Sequence, residues 1–354
     1  MKRLKIAFAG VGFMGQRAHL RNYHELVEFC DVVALADLRE DQANNVAARY
    51  NIPKVYPTIA DMFKNEEIDA VVASQPYSNH INVIPEVLNA GYPVFSEKPI
   101  AISVESGQML ADLAKKKNKL YMVGYHKRSD PAMEYAKKLI EQYKKSGELG
   151  QFRYVRATMP PGDWVNGGSA GYIGSNYNVP ELPLEGKPDY FTQDVYDAYN
   201  AFVNYYIHQV NAVRFLLNED YKITYAEKSG VLLAGESDSG VCCTIEMEPY
   251  SSSMDWQESY FISFSRGYIK VELPAPLASQ QAGKVTVFTD IDGEPKFFQP
   301  VMPCIHAMRN QAMNFMAAVR GDKPAPCEAA EAVKDLRIAR DYISLKLGLT
   351  FDIK

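Results

Sequence analysis

Residues 4–15, Leu-Lys-Ile-Ala-Phe-Ala-Gly-Val-Gly-Phe-Met-Gly, constrain the fold of this chain more than any other stretch. A short apolar run breaks into glycines at Gly10, Gly12 and Gly15, which reads as a strand, a phosphate-binding turn and a helix start. The three glycines serve different ends, with tight reversal at Gly10, close approach of backbone to a pyrophosphate at Gly12, and close helix–strand packing at Gly15. The positive end of the following helix then faces the phosphates, with Phe13 and Met14 beside them. Glycine turns are common, so the flanks decide. A β-type run at 6–9 precedes the turn, a helical stretch to Cys30 follows it, and a second strand at 32–36 ends in Asp37. Asp37 stands 22 residues beyond Gly15, close to the ~20 at which an acid meets the adenosine ribose. A carboxylate there accepts from the ribose diol and repels a 2′-phosphate, so NAD is favoured over NADP, an inference that Arg39 blurs slightly.

The alternation of strand and helix continues with a helix through Asn51, strands at 68–73 and 92–95, helices near 80–90 and 103–117, and a strand at 119–124. This is the grammar of a parallel sheet with helices on both faces, and ligands lie off the carboxyl ends of such strands. The loops so selected are 74–79, 96–99 and 125–129. Beyond a helix near 131–145 and a strand at 151–159, residues 160–195 form a Pro-, Gly- and Tyr-rich stretch longer than an ordinary connection, and such loops tend to be functional. A helix at 201–217, strand-like runs at 241–247, 260–265, 267–273 and 284–289, and helices near 306–320 and 328–347 complete the chain. The short turns between these runs predict antiparallel pairing in one open sheet. The fold class is thus α/β: an N-terminal Rossmann dinucleotide-binding domain, residues 1–125, and a C-terminal α+β domain, residues 126–354, on an open, mainly antiparallel sheet. An open sheet needs cover on its second face, which predicts a homo-oligomer.

At 354 residues the chain exceeds one hydrophobic core, in keeping with two domains. A net charge of −5 gives no reason to expect nucleic acid or a membrane surface as partner. No apolar run approaches the ~20 residues of a membrane span, and Met-Lys-Arg-Leu-Lys leads into the first strand rather than a signal peptide, so a cytoplasmic protein is expected. Its five cysteines show neither metal spacing nor a paired framework. No metal is expected.

Two constellations carry chemistry. Glu97-Lys98-Pro99 follows a strand at the ligand edge, where a lysine is placed to reach the nicotinamide end of a cofactor and the proline stiffens the turn. A solvated lysine beside a loop proline reads equally well from spacing alone. On the helix at 201–217, Val203, Ile207, Val210 and Leu217 form the buried stripe, and Asn204, His208 and Asn211 project from a neighbouring face. A histidine so placed is also compatible with a satisfied core position.

Taken together, Gly10-Val-Gly-Phe-Met-Gly15, Glu97-Lys98-Pro99, Gly124-Tyr-His-Lys-Arg128 and Asn204-x-x-x-His208 resemble the glucose-fructose oxidoreductase, inositol dehydrogenase and MocA family over the whole chain. The resemblance implies a nicotinamide dinucleotide on the first domain, a substrate cleft between domains, subunits joined through the open sheet, and Lys98 and His208 as the catalytic pair. It also implies Ser74, Pro76, His80 and Glu97 beside the cofactor, and Tyr125 and His126 near cofactor or substrate. Where the family usually has an aspartate, this chain has Asn204, which can hydrogen-bond but cannot carry the proton. The base role then rests on Lys98 and His208, with Asn204 as their polar neighbour.

Oxidising a secondary alcohol requires a hydride to leave carbon while a proton leaves oxygen, and the protein handles the proton. The loop at 160–202 carries Trp164, Tyr172, Tyr177, Tyr190, Phe191, Tyr196 and Tyr199, with Lys187 its one cation, although Lys127 and Arg128 could serve an anion from elsewhere. A neutral polyhydroxy ring fits this composition, its C–H surface on aromatic faces, Trp164 among them, and its hydroxyls on carboxylates or amides. Several of these aromatics read equally well as packing. The expectation is an NAD-dependent dehydrogenase acting on a ring hydroxyl of a neutral sugar, glycoside or cyclitol, with the 3-hydroxyl of a glucoside leading. Two other readings stay open: a glycosidase that retains NAD and oxidises its substrate transiently, and a non-catalytic dinucleotide-binding sensor.

Overall fold

The computed structural model describes residues 2–166, 171–177, 179 and 181–351. Its contacts divide the chain into two compact units, Met1–Tyr125 with Gly167–Pro188 and Met308–Val333, and His126–Asn166 with Asp189–Ala307 and Lys334–Lys354.

The first unit holds a six-stranded parallel sheet in the order β3-β2-β1-β4-β5-β6. Its strands are β1 (Leu4–Ala9), β2 (Cys30–Ala36), β3 (Lys54–Tyr56), β4 (Ala70–Ala73), β5 (Val94–Ser96) and β6 (Tyr121–Val123). A π-helical turn at Gly15–Leu20 runs into α1 (Arg21–Glu25), and α2 (Glu40–Tyr50), α3 (Ile59–Asn65), α4 (His80–Asn89) and α5 (Val104–Lys117) follow. Because both faces are covered, the strands read as near-continuous apolar runs rather than alternating ones, and Ile6, Phe8, Leu35, Val72 and Phe95 lie in the core. Strand order reverses between β1 and β4. Ligand sites in open parallel sheets fall at that reversal. Strand β3 and helix α3 are too short to show a period and escape a reading by pattern; α3 is started by Thr58, whose hydroxyl accepts from Asp61 N at 3.1 Å.

The second unit contains α6 (Pro131–Ser146), β7 (Phe152–Thr158), α7 (Gln193–Leu217), β8 (Tyr221–Ala226), β9 (Leu232–Ser237), β10 (Cys242–Glu246), β11 (Glu258–Phe264), β12 (Gly267–Leu273), β13 (Lys284–Ile291) and β14 (Glu294–Phe298). These eight strands form one sheet, β14-β13-β12-β11-β7-β10-β9-β8, antiparallel except for the β7–β10 pair. Helix α6 packs against β12 and β13, and α7 against β7 and β10. The expected stripe of α7, Val203, Ile207, Val210 and Leu217, is buried there. Thr192 caps α7 well before the anticipated start at 201. Strands β8, β9 and β14 are additions to the expected set. The glycine in β9 and the proline in the wholly exposed β14 blur the alternation that marks a strand.

Of the two last helices, α8 (Ala307–Arg320) sends Ala312, Phe315 and Met316 into the core of the first unit, with the Phe315 ring 5.8 Å from Phe95. In α9 (Ala329–Leu347), Tyr342 packs 4.4 Å from Phe202 of α7 in the second unit. The chain after residue 125 therefore supplies both units. Among the described residues no helix is long and apolar enough to cross a membrane, and no cluster of three or more His, Cys, Asp or Glu could hold a metal.

Candidate active site

The glycine turn sits at the carboxyl ends of β1 and β4. Gly10 has φ +90°, and a Cβ there would stand 2.6 Å from Gln75 Nε2; a Cβ on Gly15 would stand 2.5 Å from Ser74 Oγ. Ser74 Oγ also donates to the Gly10 carbonyl at 2.6 Å, so Ser74 braces the turn. A Cβ on Gly12, by contrast, would approach only Arg39 Nη2, at 3.6 Å. Phe13 and Met14 are partly exposed beside it, and Pro76 is exposed beyond β4. This leaves a backbone edge onto which a diphosphate fits.

Asp37, buried at the end of β2, accepts from Val11 N at 2.8 Å and Arg39 Nη2 at 2.9 Å on one oxygen. Its other oxygen accepts from Arg39 N and Nε at 2.9 and 3.0 Å. A carboxylate has about four acceptor positions, so the ribose diol reaches Asp37 only as the Arg39 side chain gives way. With that movement the residues fit NAD: an open edge at Gly12 for the diphosphate and a carboxylate for the ribose.

The lysine loop is braced from two sides. His19, which no motif singles out, lies with Nε2 2.5 Å from Glu97 Oε1, and Glu97 Oε2 accepts from Lys98 N at 3.1 Å. The one signal it offers in the sequence is position, a helical turn past Gly15. Burial opposes ionisation of Glu97, yet the hydrogen bond and charge of His19, with the charge of Lys98, outweigh it and hold this carboxyl below its usual range. On the other side His80 is fully buried and its Nδ1 donates to the Ile100 carbonyl at 3.0 Å. Burial lowers its pKa, so a neutral ring braces the loop. The Lys98–Pro99 peptide is cis, and Lys98 is half-buried.

In the second unit, His126 is buried and its ring meets that of His208 edge to face, 4.6 Å between centroids. His208 is half-buried and Asn204, one turn earlier on α7, is exposed. Asn211 has a different place. It is buried, its Oδ1 accepting from Arg128 Nε at 2.7 Å and its Nδ2 donating to Asp335 at 2.6 Å, where Arg214 also donates at 3.0 Å. The polar stripe of α7 thus splits between an accessible pair and an interior tie.

The cations after His126 are likewise turned inward. Lys127 pairs with Glu258, which also accepts from Gln209 at 2.9 Å and Tyr260 at 2.5 Å, and both Lys127 and Arg128 are buried. Asp130 caps α6 through Ala132 N at 2.8 Å, and burial pushes its carboxyl up to about 6. Trp164 is half-buried on the loop after β7, and the same loop meets α7 where Gly162 N donates to the Tyr205 hydroxyl at 3.4 Å, next to Asn204. Packing claims other aromatics of that stretch: Phe191 contacts Tyr190, Tyr199 and Phe351, with ring centroids 4.8 to 5.2 Å apart. Tyr172 belongs to the first unit.

A glycine turn at the reversal of a parallel sheet, with an acid just after β2, defines a dinucleotide-binding Rossmann unit. Residues 4–125 match the model of an oxidoreductase family described by its NAD-binding Rossmann fold. That family is the one named for glucose-fructose oxidoreductase, inositol dehydrogenase and MocA, and the match spans the parallel-sheet part of this chain. It is 25% identical over 311 residues to an inositol 2-dehydrogenase of Salmonella paratyphi B, covering 83% of this chain and 81% of that protein. It is 24% identical over 344 residues to the rhizopine catabolism protein MocA of Rhizobium meliloti, covering 96% and 94%. Among solved structures, a putative NADPH-dependent oxidoreductase of Desulfitobacterium hafniense superposes with a TM-score of 0.76 at 13% identity, covering 98% of this chain and 96% of that one. This protein is a dehydrogenase that uses NAD.

Proposed function

We propose that the protein oxidises a secondary ring hydroxyl of a neutral sugar, glycoside or cyclitol to a ketone, the 3-hydroxyl of a glucoside being the leading substrate. One observation carries the neutral substrate: Lys127 and Arg128, the cations nearest His126 in sequence, are buried and committed to Glu258 and Asn211. An anionic group would find neither of them available. The inositol dehydrogenase among its relatives supports a polyhydroxy ring.

NAD, when bound, supplies the hydride acceptor. Lys98 takes the hydroxyl proton, on a loop that Glu97, His19 and His80 hold in one position. His208, oriented by its contact with His126, hydrogen-bonds the same hydroxyl or relays its proton, and Asn204 and Trp164 line the ring. The second sheet bears a row of half-exposed rings, Phe261, Tyr268 and Phe288, with centroids 5.1 and 5.5 Å apart. We propose that another copy of the chain covers it.

The test is absorbance of reduced nicotinamide when protein and NAD meet myo-inositol, glucose, xylose and aryl glucosides, with Lys98→Ala as control. The expected result is a signal with one class, lost by roughly a thousandfold in the variant. Glycoside consumed without net NADH would instead make it a redox glycosidase. NAD bound with every substrate inert, and ligand affinity indifferent to Lys98→Ala, would make it a sensor.

A further inference from the structure

We infer that residues 171–177 are a strap that closes over the adenosine half of the dinucleotide site, so that cofactor enters and leaves only when the strap parts. Two buried glutamines grip it, one from each helix that borders the turn. The Gln16 amide donates to the Val11 carbonyl at 2.7 Å and to the Ile173 carbonyl at 3.0 Å, while its Oε1 accepts from Ile173 N at 3.0 Å. One side chain thereby joins the phosphate-binding turn to the strap. From α2, Gln42 donates to the same Ile173 carbonyl at 2.5 Å and to the Tyr172 hydroxyl at 3.1 Å. Asp41 accepts from Ser175 Oγ at 2.5 Å and Asn176 N at 3.1 Å, and Arg49 donates to the Gly171 carbonyl.

The position of Tyr172 gives this clasp its ligand. Its ring lies 5.6 Å from that of Phe13, in the turn, and its hydroxyl accepts from Gln42 of the helix that follows Asp37 and Arg39. Tyr172 therefore stands beside the diphosphate edge, held there from α2. Burying two amides costs free energy unless their bonds are made. Here those bonds tie a segment far along the chain to the one surface where the adenosine diphosphate lies.

The experiment follows release of NADH by its fluorescence after mixing the loaded protein with excess NAD, for wild type, Tyr172→Ala and Ile173→Pro. Both variants should release NADH roughly tenfold faster, Tyr172→Ala with the melting temperature of the unloaded protein unmoved and Ile173→Pro with some loss of it, since Gln16 then lacks the Ile173 N–H; release at the wild-type rate overturns the strap. Amide hydrogen exchange on the wild type tests it without mutation: NAD should slow exchange at Ile173 and its neighbours, and unchanged exchange overturns it. The inference rests on the dinucleotide site, and the two fail differently. A wild type that binds no NADH overturns the site, whereas binding with release indifferent to the strap overturns the strap alone.

Discussion

The glycine turn and the polar stripe of α7 look equally regular as sequence, yet the structure treats them differently. In the turn, each glycine works through backbone within a few positions of itself, or through one partner at the end of the neighbouring strand: Gly10 and Gly15 against Gln75 and Ser74, Gly12 left open. On α7, Asn204, His208 and Asn211 share a face and a spacing, but what each does depends on distant partners, which for Asn211 are Arg128, 83 residues away, and Asp335, 124 residues away. Local geometry is written in spacing. Burial by distant partners is not.

Substitutions on α7 test that difference with the largest effect. His208→Ala should cut kcat/KM by roughly a hundredfold or more, while the thermal midpoint barely moves, because the ring is half-exposed. Asn211→Ala should do the reverse. It leaves Arg128 and Asp335 short of a buried partner, at a cost of about 2 kcal/mol, and the protein that remains folded keeps its activity. Equal effects on activity from both changes would mean that the stripe is one functional unit after all.

The turn can be divided in the same manner. Gly15→Ala forces a Cβ to within 2.5 Å of Ser74 Oγ and 3.1 Å of the Gly10 carbonyl. That overpacking should cost up to about 3 kcal/mol, and NAD binding goes with it. Gly12→Ala meets nothing nearer than 3.6 Å and needs no positive φ, so its stability should hold or rise by the ~0.5 kcal/mol that Gly→Ala confers where the backbone permits. Its NAD affinity, read by titration, should nevertheless fall, because the new methyl stands where the diphosphate approaches. A Gly12→Ala protein that binds NAD normally would remove the diphosphate from that edge.

The contrast also accounts for what is legible in the sequence. The parallel sheet, its ligand loops and the buried stripe of α7 are legible because near-continuous apolar strands and a 3.6-residue period need only neighbours to be understood. The antiparallel sheet is partly legible, and its edge strand β14, exposed at every position, carries no pattern to read. His19 lies hidden because its meaning is Glu97, 78 residues on, and the capture of Lys127 by Glu258 cannot be foreseen across 131 residues. Composition groups residues 171–177 with the substrate loop. Their bonds to Gln16, Asp41 and Gln42 tie them to the cofactor unit instead.

The interior of the second unit should also declare itself through pH. Burial raises the Asp130 carboxyl to about 6 in the folded protein, while Ala132 N and the charge of Lys127 only partly oppose this. The unfolded chain titrates near the ordinary value of 3.8, so between those values the folded state holds more protons. Stability therefore falls as pH rises from about 4 to about 6, by on the order of 3 kcal/mol, and the cost is fully present above that window. Asp130→Asn keeps a capping side chain on α6 and should flatten this slope, seen as urea midpoints that no longer separate between about pH 4.5 and about pH 6.5. An unchanged slope would place the titration elsewhere.

The smallest effect belongs to the residue in which this chain departs from the family that it resembles. Asn204 is exposed, so Asn204→Asp should leave stability within about 0.5 kcal/mol. Its consequence is chemical: a carboxylate one turn from His208 favours the charged imidazole and supplies a second acceptor for the substrate proton. The change in kcat at neutral pH should stay below roughly tenfold if Lys98 and His208 already carry the proton between them. The acid limb of the pH–rate profile should nevertheless move, because an added anion shifts the titration of the histidine it faces. A profile that keeps its shape would separate Asn204 from the reacting hydroxyl and leave His208, with His126 behind it, as the polar group that α7 contributes to catalysis. A gain far beyond tenfold would show that the wild-type asparagine limits the proton transfer, and that this protein's own substrate asks less of that step than the substrates on which the aspartate is used.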